Sequence, residues 1–160
     1  MTRTPAEVAA DFYAAFSRRD PEGMVRLYHP HATFTDAVFG TLNAEQTTAM
    51  WRMLLGRQQN MQVTTTPQPA RPGDAADVAR TEWIAVYPFS ATGRTVRNVV
   101  QARMTVRDGL IVRHEDTFDF WAWSRQALGL PGLLLGWTPM LHARVSRTAQ
   151  EGLAASMAKR

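Results

Sequence analysis

The sequence predicts an α+β fold: helices packed on one side of a curved antiparallel sheet, followed by a helical arm at the C-terminus. Three observations carry this expectation. Apolar residues recur at helical spacing through the first third of the chain. From about Met61 to about Phe118 the period changes to two, in stretches separated by turn residues. After Trp121 the chain is strongly apolar but broken by glycine and proline, and then becomes helical again. Helices followed by a run of strands, without alternation of the two, is the α+β order. The 160 residues fit one domain, and 45% hydrophobic content suffices for a core.

The first helix covers about residues 6–18, with Val8, Phe12 and Phe16 on one stripe. Asp20-Pro21 restarts a helix, since Asp20 can accept from the free amides of the first turn and Pro21 suits the first helical position. Met24, Leu27 and Tyr28 form its buried stripe, and His29-Pro30 ends it. A short strand is expected over His31–Asp36. The third helix begins near Asn43, with Gln46 in capping-box spacing, and Gly56 stops it. Met61–Thr66 reads as a strand, and Pro67–Asp77 as a loop. Strands follow at Val78–Phe89, Thr95–Val106 and Leu110–Phe118, joined at Thr92-Gly93 and Arg107-Asp108-Gly109. Leu128–Leu141 is too short and interrupted to span a bilayer, and His142–Lys159 reads as a helix.

Strand alternation sorts the side chains by face. A three-residue loop at 107–109 sets Val106 opposite Leu110, so that Leu110, Val112, His114, Asp116 and Phe118 share a face with Val96, Asn98, Val100, Ala102, Met104 and Val106. A two-residue turn would place Arg113 and Glu115 against Met104 and Ala102 and bury two charges. Pairing Tyr87 with Asn98 brings Thr81, Trp83, Ala85, Tyr87 and Phe89 onto the same face. Tyr87, Asn98, His114 and Asp116 are then the polar exceptions on an apolar concave surface, a pattern of ligand sites. A mutually satisfied structural His–Asp pair explains the same residues.

Composition removes several function classes. Without cysteine there is no disulfide, thiolate zinc site or cysteine nucleophile. The net charge is +4, but the arginines are scattered and form no run, so nucleic-acid binding is not expected. His29 and His31 flank a turn without a third ligand nearby, so no metal is expected. No phosphate loop or hydrolase elbow is present. The N-terminus lacks the apolar run of a signal peptide, and a cytoplasmic location without membrane association is the expectation.

Phe12-Tyr13-Ala14-Ala15-Phe16, then Asp20-Pro21-Glu22, then Tyr28-His29-Pro30-His31-Ala32-Thr33-Phe34-Thr35-Asp36 resembles the opening of the nuclear transport factor 2-like superfamily. Asp108-Gly109-Leu110-Ile111-Val112-Arg113-His114-Glu115-Asp116 resembles the closing strand of its SnoaL-like members. The resemblance covers about residues 6–128. It implies a cone-shaped sheet whose helices close a cavity, often in a homodimer, and a range of activities that includes ketosteroid isomerases, polyketide cyclases, epoxide hydrolases, dehydratases and binders without catalysis. By position, it makes Asp36 the general base of the isomerases and Asp116 the acid or base on the last strand of the cyclases and epoxide hydrolases. Phe12 and Ala102 stand where the isomerases keep their oxyanion donors, and Tyr13, one position off, is expected to face away.

These readings give residues 1–128 as the SnoaL-like domain and 129–160 as an arm that acts as a lid or a dimer contact. A membrane-surface anchor is the sharper reading of that arm. The functional expectation is a cofactor-free acid–base enzyme acting on a small hydrophobic molecule. Asp36, Asp116 and His114 would carry the chemistry, and Tyr87, Asn98, Trp83, Phe12, Phe16, Trp51 and Phe118 would line the pocket. The alternative is a binding protein for an apolar ligand.

Overall fold

Thr4 opens the first helix of the computed structural model, which describes residues 2–58 and 60–159; the outermost residues of the predicted boundaries, 1 and 160, lie outside them. The elements run α1 (Pro5–Ser17), α2 (Pro21–Val25), β1 (Tyr28–Asp36), β2 (Gly40–Leu42), α3 (Ala44–Arg57), β3 (Gln62–Gln68), β4 (Val78–Pro88), β5 (Thr95–Arg107), β6 (Leu110–Thr117), α4 (Phe120–Leu128), α5 (Leu130–Leu135) and α6 (Pro139–Ala158).

Helix starts follow their caps. Thr4 and Glu7 form a capping box on α1, and Asn43 and Gln46 form another on α3. α3 passes through Gly56, where an added Cβ would meet nothing within 4 Å. α1 buries two adjacent stripes, Val8, Phe12, Ala15 with Ala9, Tyr13, Phe16, because it packs into the hollow of the sheet. Tyr13 therefore faces inward at 4% exposure, against the expectation that it faces away. Tyr28 is the other correction. It opens β1 rather than closing the second helix, paired with Ile111, whose amide donates to the Leu27 carbonyl at 2.8 Å. Pro30 is tolerated because it falls where the ladder is interrupted, between Tyr28 and Thr33.

The six strands form one curved, unclosed sheet in the order β2-β1-β6-β5-β4-β3. Every pair is antiparallel except β1 and β6, which run parallel, so the sheet is mixed rather than wholly antiparallel. Alternation in a sequence reports a face and not a direction, which is why this pair was not legible.

The β5–β6 connection differs from expectation in an instructive way. It is a two-residue turn, with Asp108 at φ 52° and Gly109 at φ 76°, and Arg107 opposite Leu110. Left alone, that turn would drive Arg113 and Glu115 into the apolar face. One extra residue on β6 prevents this: Val106 pairs with Ile111 but Thr105 pairs with Arg113, leaving Val112 as a bulge. Beyond it Met104 faces His114 and Ala102 faces Asp116. Ile111 replaces Leu110 and Val112 in the core. At the other edge of β5, Tyr87 pairs with Val96 and Ala85 with Asn98, two residues away from the expected register. An even shift keeps every side chain on its face.

Two apolar clusters result. The larger lies between α1, α3 and the sheet and is reached by Leu153 of α6. The smaller gathers Val96, Trp123 and Ala127 with Tyr87, Phe89 and Phe118 beneath α4.

Candidate functional site

His114 lies at the centre of the larger cluster with 0% exposure. Phe34 and Phe12 meet its ring edge-on, with centroids 5.0 and 5.4 Å away, and Tyr28 and Trp51 stack on it at 6.0 and 6.2 Å. A polar group so enclosed must be satisfied by protein partners. Trp51 Nε1 donates to the Tyr28 hydroxyl at 3.0 Å, Tyr28 Oη lies 2.7 Å from His114 Nδ1, and His114 Nε2 lies 2.9 Å from Asp116 Oδ1.

The direction of this chain follows from the donor inventory. Indole N–H can only donate, so Tyr28 accepts from Trp51 and has its own hydrogen left for Nδ1. Nδ1 is then the acceptor, the ring hydrogen sits on Nε2, and Nε2 donates to Asp116. The reverse tautomer would leave the tyrosine hydrogen buried without an acceptor. Asp116 is thus aimed by a file of three aromatic residues from α3, β1 and β6. It is 6% exposed, and its Oδ2 makes no hydrogen bond among the described residues.

Asp36 ends β1 on the same face as Tyr28. Its Oδ1 accepts from the amides of Val38 (2.9 Å) and Phe39 (2.6 Å). Burial raises its pKa from 3.8 to about 6 against those two amides, and the charge of Asp116 raises it further while His114 lowers it. The turn that supplies the amides is held from behind by α6: His142 Nε2 donates to the Ala37 carbonyl, and Gln150 Nε2 to the Phe39 carbonyl at 3.2 Å. The C-terminal arm therefore braces the backbone that holds Asp36.

Two buried donors have no partner among the described residues, Tyr13 Oη and Trp83 Nε1. Both rings pack on Phe16, at 6.4 and 5.3 Å. Burial pushes the Tyr13 hydroxyl pKa well above 10.0, with Asp116 and then Tyr28 adding to it. An orphaned buried donor costs about 1–3 kcal/mol, and one of the two, Tyr13 Oη, lies within the field of the Asp116 carboxylate.

A cavity of about 410 Å³ lies beside this group, between α1 and the β3–β4 pair, lined by Ala6, Ala10, Tyr13, Thr65, Arg80 and Thr81 among others. None of Asp36, His114 or Asp116 lines it. Thr81 pairs with Ala102, and Ala102 with Asp116, so one cross-strand row separates the cavity from the carboxylate.

The sequence-predicted residues fall in two groups. Asp36, His114, Asp116, Phe12, Phe16, Trp51 and Trp83 gather around the main cluster. Tyr87 and Phe118 belong to the smaller one, where the Tyr87 hydroxyl accepts from Trp123 Nε1 at 2.8 Å, and Asn98 sits half-buried opposite Ala85. His29 and His31 stay at the surface, with the His31 amide donating to His29 Nδ1 at 3.0 Å, and no group of three ligating side chains occurs among the described residues. Sequence reasoning missed Tyr28 and Tyr13. Extending the β1 alternation back from Asp36 through Phe34 and Ala32 would have reached Tyr28 on the same face.

A family model described as a SnoaL-like domain matches residues 9–114. Among curated proteins none matches the chain. Solved structures agree in fold at low identity. A hypothetical protein with a ketosteroid isomerase-like fold from Catenulispora acidiphila DSM 44928, in complex with trimethylamine, is 22% identical over 86% of this chain and 100% of its own, with a TM-score of 0.64. TerC co-crystallised with polyporic acid is 21% identical over 77% of this chain and 97% of its own, at 0.62. An epoxide hydrolase of the LEH-like kind from M. tuberculosis is 19% identical over 84% and 97%, at 0.60.

Proposed function

Because the chain belongs to the SnoaL-like domain family, we propose that it is an acid–base enzyme acting on a small apolar molecule that carries a reactive oxygen, with Asp36 as the general base. A carboxylate titrating at about 6 is mostly ionised at neutral pH yet basic enough to accept a proton from carbon. Asp116, aimed by His114, Tyr28 and Trp51, is the second carboxylate that can return the proton elsewhere. Tyr13 Oη and Trp83 Nε1 are the donors for the negative charge that develops on the substrate oxygen. Such proton transfer requires no cofactor. Isomerisation, cyclisation, dehydration and epoxide opening all fit this arrangement, and the likeness in fold to an LEH-like epoxide hydrolase supports including the last.

The observation that supports this reading most is the unpartnered buried hydroxyl of Tyr13 in the field of Asp116, with the unpartnered Trp83 Nε1 on a ring that shares the Phe16 contact. To test it, a panel of apolar ketones, 1,3-diketones and epoxides is incubated in D2O, with deuterium uptake next to the carbonyl and epoxide opening followed by NMR. Asp36→Asn and Asp116→Asn should each lower the rate by about 10²-fold or more. An unchanged rate in both variants overturns the reading.

One observation favours a second reading, a binding protein for an apolar ligand: the cavity is walled by alanine methyl groups and none of the three proposed catalytic residues lines it. Saturable binding of a panel member without conversion, insensitive to Asp36→Asn but lost in Ala10→Trp, would decide for it.

A further inference from the structure

Every large apolar side chain exposed among the described residues falls between Trp121 and Met140. The most open are Leu130 (65%), Leu134 (58%), Trp137 (73%) and Met140 (70%). This exposure is built in. α5 lays its glycine edge against α4: a Cβ on Gly132 would come within 1.9 Å of the Ser124 carbonyl oxygen, and one on Gly136 within 2.1 Å of Ser124 Oγ. Trp121 Nε1 fixes the helix by donating to the Leu133 carbonyl at 3.2 Å. A short helix that served only to cover a core would turn its leucines inward and its small residues out. α5 does the opposite.

The charges around this face are of one sign. No aspartate or glutamate occurs between Asp119 and Glu151. Arg125 lies over the Trp121 ring at 4.7 Å. On α6, Met140, Arg144 and Arg147 follow at spacings of four and three, so one exposed stripe passes from apolar to basic. The Trp137 indole N–H is already bonded to the Leu134 carbonyl at 2.9 Å, leaving the ring free to enter an apolar medium.

We propose that α5 and its arginine rim dock this protein on an anionic lipid surface, where the sequence favours a lid or dimer contact over a membrane anchor for this arm. The leucines, Trp137 and Met140 enter the boundary between headgroups and acyl chains, and Arg125, Arg144 and Arg147 meet the negative headgroups. The contact lies on the membrane plane, since no helix among the described residues is long and apolar enough to cross it. A second copy is a poorer occupant. A two-fold contact would set the arginine rim against itself with no carboxylate from the stretch to answer it.

The test is co-sedimentation of the full chain with vesicles of phosphatidylcholine alone or with about a third phosphatidylglycerol, alongside sedimentation equilibrium without lipid. Binding to the anionic vesicles should exceed that to phosphatidylcholine by ten-fold or more, fall with salt, and be lost in Leu133→Glu/Leu134→Glu, whose far-ultraviolet circular dichroism should match the parent. Equal binding of that variant, or no binding by the parent to anionic vesicles, overturns the proposal. A dimer dissolved by the same variant, with no lipid binding, assigns the face to a second copy instead.

Discussion

Replacing Tyr28 by Phe removes one oxygen from the middle of the file that aims Asp116. In the native arrangement that oxygen accepts from Trp51 Nε1 at 3.0 Å and its hydrogen points at His114 Nδ1, 2.7 Å away. Both neighbours are buried, His114 completely, and water cannot replace what is lost without breaking the aromatic box. Two orphaned groups at about 1–3 kcal/mol each place the destabilisation at about 2–6 kcal/mol. Urea unfolding measures it as a lower midpoint at an unchanged slope. A double-mutant cycle with Trp51→Phe isolates the indole's share, since the double variant has no indole left to strand; the pair should be sub-additive by about 1–3 kcal/mol. The nitrogen shifts of His114 should meanwhile lose the pattern of an Nε2-protonated ring with a hydrogen-bonded Nδ1. A loss below about 1 kcal/mol with unaltered imidazole shifts would refute the assigned direction of the file.

Other outcomes follow from the same geometry. The folded state holds the Asp36 proton more tightly than the unfolded chain does, with a pKa raised from 3.8 to about 6. The associated stability is therefore full below the unfolded value and lost as pH rises through the folded one. Asp36→Asn abolishes this dependence, so between pH 4 and pH 8 the variant should gain on the parent by about 2–3 kcal/mol in urea unfolding; parallel pH curves would contradict it. Gly132→Ala should free α5 at a cost of about 1–3 kcal/mol, because its Cβ would meet the Ser124 backbone at 1.9 Å. The amides of Leu133 and Gly136, bonded to the Gly129 and Gly132 carbonyls, should then exchange faster. Gly56→Ala on α3, with open space around it, should instead stabilise by up to about 1 kcal/mol.

What could be read from the residues was local. The caps at Asp20 and Asn43 announce their helices, and alternation along β5, and along β6 from His114 onward, tells which side chains share a face with His114. Register was less legible. The bulge at Val112 exists to keep Arg113 and Glu115 out of the core, and only the whole sheet reveals that need. The β4–β5 register differs from the expected one by two residues and still sorts the faces, because a strand has a period of two, whereas on β6 the faces match only beyond the bulge and Ile111, not Leu110 and Val112, is buried before it. Long-range geometry was hidden altogether. The parallel pairing of β1 with β6 brings Tyr28 to His114 across 86 positions of sequence, and the width of the face buried by α1 turns Tyr13 inward. The brace that His142 and Gln150 of α6 place on the Asp36 turn spans more than a hundred residues and leaves no mark in any local pattern.

The proposed role of Asp36 as a base rests on its burial and on the nearby charge of Asp116. A carbon-13 titration of the Asp36 side-chain carboxyl tests this most directly. The midpoint should lie near 6 and move down in Asp116→Asn, as the neighbouring negative charge is removed. A midpoint at the ordinary 3.8, indifferent to the change at position 116, would contradict it.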